Sequence, residues 1–174
     1  MWPPEAVYAV SGCDSVSSEQ EQLGCGNSTL ASDLYQAITS IDISDQVISQ
    51  MQQTNKARPE LVFEKMDVMG LKYPEDQFSV VLDKGTLDAL FTDSGEEEKV
   101  AGMWSEIARV LRLGGRYVSI SLLQPHILSS VVSWFSSRGW PVRIIRCTEV
   151  DLSKPTQERV LPVFVVAVSG TRQI

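Results

Sequence analysis

The strongest constraint on this chain is the order in which its apolar runs arrive. From Leu23 onward, short runs of strand length alternate with segments whose apolar residues recur at helical spacing. Ile38 to Ile43 reads as a strand carrying Asp42 near its end, Leu61 to Met66 as another followed by Asp67, and Tyr117 to Leu122 as a further one. Phe78-Ser79-Val80-Val81-Leu82 is almost unbroken in its apolar character, which fits a strand buried on both faces. Between these, Ser28 to Ala37 predicts a short helix. Ser44 caps a second helix, with Val47, Ile48 and Met51 on one side, and Pro59 breaks that segment. Glu96 to Leu111 is amphipathic through Met103, Ile107, Val110 and Leu111, and Gly114-Gly115 is expected to end it. Pro125 to Arg138 reads as a helix stopped by Gly139.

Strand–helix alternation of this kind implies an α/β fold: a mostly parallel sheet, helices on both faces, and right-handed crossovers. The pattern changes at the end. Val142 to Ile145 and Val160 to Val168 are two strands separated only by the polar stretch Asp151 to Glu158, which predicts a terminal antiparallel hairpin. The 174 residues suggest one domain with its own core.

Charge and cysteine usage narrow the function classes. The net charge is −7, which argues against a general nucleic-acid binder, since those usually show a basic face. Cys13, Cys25 and Cys147 form no paired spacing, so neither a disulfide framework nor a metal site is expected, and a reducing, cytoplasmic compartment is the default. The longest early apolar run, Ala6 to Val10, is far too short for a signal peptide or a membrane span.

Four motifs carry chemistry. In Leu23-Gly24-Cys25-Gly26-Asn27-Ser28, Gly24 and Gly26 let backbone approach a ligand where a helix offers free N–H groups. Thr29 stands where a dinucleotide site wants a third glycine, so the motif leans toward a nucleoside ligand without a pyrophosphate, such as S-adenosylmethionine; a plain tight turn is the alternative. Asp42, 16 residues after Gly26, is placed to accept from both ribose hydroxyls, or else caps the following helix. Asp67, in Met66-Asp67-Val68, is placed to accept from an adenine amino group while its apolar neighbours flank the ring; the alternative is a loop acid facing water. Asp83-Lys84-Gly85-Thr86-Leu87-Asp88-Ala89 follows the most apolar early strand, where open α/β sheets bind ligands. His126, the only histidine, reads as a polar residue in the first turn of a helix.

These runs occur in order with Ile41-Asp42-Ile43-Ser44 and Arg109-Val110-Leu111…Gly114-Gly115-Arg116-Tyr117. Together they resemble the methyltransferase-like family that includes the dual lysine and N-terminal methyltransferase of translation elongation factor 1-alpha. The resemblance covers roughly Leu23 to Val168 and implies a class I, Rossmann-like S-adenosylmethionine-dependent methyltransferase fold. It implies that Gly24, Asp42, Ile43, Asp67, Val68 and Lys84 contact the cofactor, with Gly26 added from the glycine turn. It also implies a protein lysine as methyl acceptor, on elongation factor 1-alpha. A neutral amine would attack the sulfonium methyl in line. A free lysine, with a pKa of about 10.4, must first lose its proton at a cost of roughly 4–5 kcal/mol at pH 7. Asp83 and Asp88 are the candidates to orient that amine.

The family pattern has an apolar strand directly before Gly-Cys-Gly. Here Ser17 to Gln22 is a poor central strand, so the first strand is expected to be atypical or missing. The chain accordingly divides into an atypical segment, 1–22, and a methyltransferase domain, 23–174. The family's upstream Tyr- and Trp-bearing segment and its second catalytic domain are not recognisable. A truncated, non-catalytic binding module is therefore the alternative to an enzyme.

Overall fold

The structure, a computed structural model, describes residues 21–23, 38–91, 96–146 and 163–169. The strands are β1 (Glu21–Leu23), β2 (Ile38–Asp42), β3 (Leu61–Lys65), β4 (Phe78–Lys84), β5 (Leu111–Ser121), β6 (Val142–Arg146) and β7 (Val163–Val168). The helices are α1 (Asp45–Thr54), α2 (Thr86–Leu90), α3 (Glu96–Val110) and α4 (Pro125–Ser136). One sheet runs β3-β2-β1-β4-β5-β7-β6. Its first five strands are parallel, and β7 pairs antiparallel with both β5 and β6. The expected α/β class and terminal hairpin are both present.

Alternation along β4 divides the core between the two faces of the sheet. Leu82 joins Ile38, Leu61 and Phe63 beneath Ile48 and Met51 of α1. Val81 points the other way, into the larger cluster with Tyr117 and Val165, covered by Leu87, Met103, Ile107, Val131 and Phe135 from α2, α3 and α4. Ser44 caps α1 as expected, its Oγ accepting from the Val47 N–H at 3.4 Å. Gly139 follows α4 in the left-handed region at φ 70°, and the Trp140 N–H returns to the Phe135 carbonyl.

One expectation is met in its first form and another needs correction. The first strand is present and atypical. Glu21–Leu23 lies at the centre of the sheet, with Gln22 opposite Ser40 on one side and Leu82 on the other. Backbone pairing on both edges holds a short polar segment where side-chain propensity alone would not, so the strand is atypical in length and composition. It also straddles the expected boundary between residues 22 and 23. The correction concerns Gly114-Gly115, which do not end α3. That helix ends at Val110, and β5 begins at once with Leu111. The glycines form a bulge inside β5, where the register jumps from Phe78↔Leu111 to Val80↔Arg116. Gly114 takes φ 75°, and a Cβ on Gly115 would meet the Arg112 carbonyl at 2.8 Å. Ser169 fastens the bulge, donating its N–H to the Gly115 carbonyl at 2.9 Å and its hydroxyl to the Arg112 carbonyl at 2.6 Å.

The expected helix 28–37, the glycine turn with Gly24 and Gly26, and the polar stretch 151–158 lie outside the described residues. Among the described residues no helix is long and apolar enough to cross a membrane.

Candidate cofactor-binding site

Parallel pairing sets the carboxyl ends of β2, β1 and β4 side by side, with Ile41 opposite Leu23 and Leu23 opposite Asp83. The chain order reverses between β1 and β4, the switch point at which α/β sheets bind ligands. A cavity of about 150 Å³ opens there. It is lined by Ile41, Asp42 and Ile43 at the end of β2, by Met66 to Met69 after β3, and by Thr86, Ala89 and Leu90 of α2. Whole-ligand pockets run to roughly 300–1,000 Å³, so this cavity encloses part of such a ligand.

Four of the sequence-predicted residues meet in it: Asp42, Ile43, Asp67 and Val68. Asp42 is buried, and its Oδ1 accepts from the Ser44 N–H at 2.8 Å. The α1 cap is Ser44, so the capping alternative for Asp42 does not hold. Asp67 is exposed at the mouth, its Oδ1 bonded to the Met69 N–H at 2.9 Å. Ile43 is 60% exposed and Met69 42%, leaving two large apolar side chains on the rim. Lys84 is not among the lining residues; it is half-buried at the end of β4, and desolvation lowers its pKa.

The cavity's chemistry fits the adenosyl part of S-adenosylmethionine. Two carboxylates accept from hydroxyl or amino donors, and the apolar side chains between them suit a flat ring. Thr86 adds a hydroxyl whose Oγ1 is buried with no hydrogen-bond partner among the described residues. Such an atom is uncommon in a folded protein and calls for a ligand or another explanation.

The acids after β4 are used differently. Asp83 is fully buried. Its Oδ2 accepts from the Tyr117 hydroxyl at 2.6 Å and the Ser119 hydroxyl at 3.1 Å, and its Oδ1 from the N–H groups of Thr86 at 3.1 Å and Leu87 at 3.4 Å. Burial pushes its pKa up to about 7 against the bonds from Tyr117, Leu87 and Ser119, with the nearby Asp88 charge adding to the rise. The Tyr117 hydroxyl is pushed well above its ordinary value, by burial first and then by Asp83. Asp88 is half-buried and bonds the Ser121 hydroxyl at 2.9 Å and the Leu122 N–H at 3.2 Å; desolvation raises its pKa. Neither acid lines the cavity. Their oxygens fasten α2 to β4 and β5.

Residues 22–119 match the family model described as "Methyltransferase domain". The chain belongs to that methyltransferase family. Its fold is that of S-adenosylmethionine-dependent methyltransferases, the class expected from the motifs. The human eEF1A lysine and N-terminal methyltransferase is 42% identical over 161 residues, covering 87% of this chain and 23% of that protein. Its Drosophila melanogaster homologue is 43% identical over 163 residues, covering 87% and 24%. This methyltransferase domain thus spans about a quarter of the length of those relatives. The mouse EEF1A lysine methyltransferase 4 is 38% identical over 116 residues, covering 60% of this chain and 46% of that protein. Among solved structures, the N-methyltransferase NodS from Bradyrhizobium japonicum aligns with a TM-score of 0.63 at 12% identity, covering 87% of this chain and 84% of that one. Its complex with S-adenosyl-L-homocysteine gives 0.62 at 13%, covering 86% and 76%. At such identities the likeness is one of fold.

Sequence reading of this methyltransferase domain missed the contribution of α2 to the cavity. Thr86, Ala89 and Leu90 recur at helical spacing just after the Asp-Lys-Gly motif, so one face of a short helix was legible there. Which way that face pointed depended on Asp83, whose partners on β5 are 34 and 36 residues away.

Proposed function

We propose that this domain transfers a methyl group from S-adenosylmethionine to a lysine of translation elongation factor 1-alpha, in the cytoplasm. The observation that carries the reading is the meeting of Asp42, Ile43, Asp67 and Val68 around one cavity, in a chain 42% identical to a human enzyme named for that substrate.

When bound, S-adenosylmethionine supplies an electrophilic methyl group. On this reading Asp42 holds the ribose hydroxyls and Asp67 the adenine amino group. Ile43 and Val68 cover the ring faces and exclude water. Gly24, Gly26 and Lys84 complete the cofactor contacts. Asp83 and Asp88 act as positioning residues, keeping α2 at the cavity wall. The acceptor amine must arrive neutral, so a desolvating approach assists the reaction.

The test is calorimetric titration with S-adenosylmethionine and S-adenosylhomocysteine, followed by methylation of purified elongation factor 1-alpha read by mass spectrometry. Micromolar binding and methylation at lysine are expected. Binding without methylation of the factor would overturn the substrate. A folded chain that binds neither ligand would replace the enzyme with a non-catalytic binding module.

A further inference from the structure

Among the side chains lining the cavity, the hydrogen-bonding inventory is lopsided. Asp42 and Asp67 are acceptors when ionised, and the remaining residues apart from Thr86 are apolar. Among the described residues that line it, Thr86 alone carries a side-chain donor. An adenosyl group has the complementary set: ribose hydroxyls and an amino group as donors, ring nitrogens as acceptors. The carboxylates match the donors, and Thr86 offers a side-chain donor that a ring nitrogen can accept from.

The local geometry fixes the backbone of Thr86 while leaving its hydroxyl unused. Its N–H is bonded to Asp83 Oδ1 at 3.1 Å, and it opens α2 directly after Gly85, which sits in the left-handed region at φ 89°. Oγ1 is shut off from water and has no partner among the described residues. Threonine in a helix divides between two χ1 wells, and a turn from one to another moves the hydroxyl without moving the backbone. An unbonded buried hydroxyl has little to lose by that turn and a hydrogen bond to gain.

We infer that the Thr86 hydroxyl donates to a ring nitrogen of the cofactor's adenine and is a specificity determinant for that base. The inference rests on the S-adenosylmethionine reading of the cavity.

The experiment is calorimetry on the full chain with S-adenosylhomocysteine and its 1-deaza, 3-deaza and 7-deaza analogues, using wild type, Thr86→Val and Thr86→Ser. Thr86→Val should weaken S-adenosylhomocysteine about tenfold, and Thr86→Ser should stay within about threefold of wild type. One deaza analogue should bind wild type about tenfold more weakly than the parent ligand, yet cost Thr86→Val nothing further, because the two changes remove the same bond. Thr86→Val binding within twofold of wild type would overturn the inference. So would deaza penalties that persist undiminished in Thr86→Val, which would send the hydroxyl to the ribose or to the protein. If Thr86→Val fails to fold by circular dichroism, Thr86→Ala replaces it and the same outcomes apply. Wild type that ignores S-adenosylhomocysteine altogether would overturn the cofactor reading itself, a result distinct from wild type that binds and a Thr86→Val chain that binds equally well.

Discussion

Two pairs of aspartates stand at the same edge of one sheet and live in opposite environments. Asp42 and Asp67, after β2 and β3, face a cavity and each keeps one oxygen occupied by a nearby backbone N–H. Asp83 and Asp88, at and beyond the end of β4, have their carboxylates tied to β5. Sequence position alone makes all four look like ligand contacts. The difference comes from what lies across the sheet. β4 has a paired strand on each side and helices over its face, so an acid that continues its inward row is enclosed. The loops after β2 and β3 stand at the open side of the switch point.

The contrast can be broken at either pair. Asp42→Ala should give the largest effect: S-adenosylhomocysteine affinity should fall at least about a hundredfold by calorimetry, close to 3 kcal/mol, with folding retained. Unchanged affinity there would remove the ribose assignment. Asp83 should reveal itself in stability. Its folded pKa of about 7 lies above the usual 3.8, so the stability it contributes is full below that lower value and is lost as pH rises through 7. Asp83→Asn has no such titration. Between pH 5 and pH 8, urea unfolding should show wild type losing roughly 2–3 kcal/mol relative to the variant. A constant difference across that range would mean Asp83 is ionised throughout. Tyr117→Phe removes a 2.6 Å hydrogen bond to a buried carboxyl and should cost about 1–2 kcal/mol by thermal or urea unfolding, with cofactor affinity little changed. Asp88→Asn, half-buried and still able to accept from Ser121 and Leu122, should cost under about 1 kcal/mol; a larger loss, or a fall in turnover without a fall in stability, would return it to the substrate side.

How much of this was readable in the chain follows from the range of the interactions involved. Periodicity and caps are local, so the β2–α1 junction with Ser44 and the strand at Phe78 were legible, as was the stop at Gly139. The cavity acids Asp42 and Asp67 were legible because each directly follows or ends an apolar strand. The bulge at Gly114-Gly115 was not, since a glycine pair after a helix reads as its cap, and only the distant Ser169 fixes it as part of a strand. Glu21–Leu23 was hidden for the same reason: nothing in Glu-Gln-Leu prefers a strand, and its partners begin 18 residues later at Thr39. The enclosure of Asp83 was not legible, because the hydroxyls around it come from β5.

That three-residue strand has a mechanical consequence. Within the described sheet, the panel β2–β3 and the panel β4–β7 share hydrogen bonds only through Glu21–Leu23, a seam rather than a slab. The cavity bridges the seam, with Asp42 and Asp67 on one panel and α2 on the other. A ligand gripped from both sides is a rivet, and its binding free energy becomes cohesion between the panels. The amides of Gln22 and Leu23 are then the gauge: their hydrogen exchange should slow first, and most, when the cavity fills.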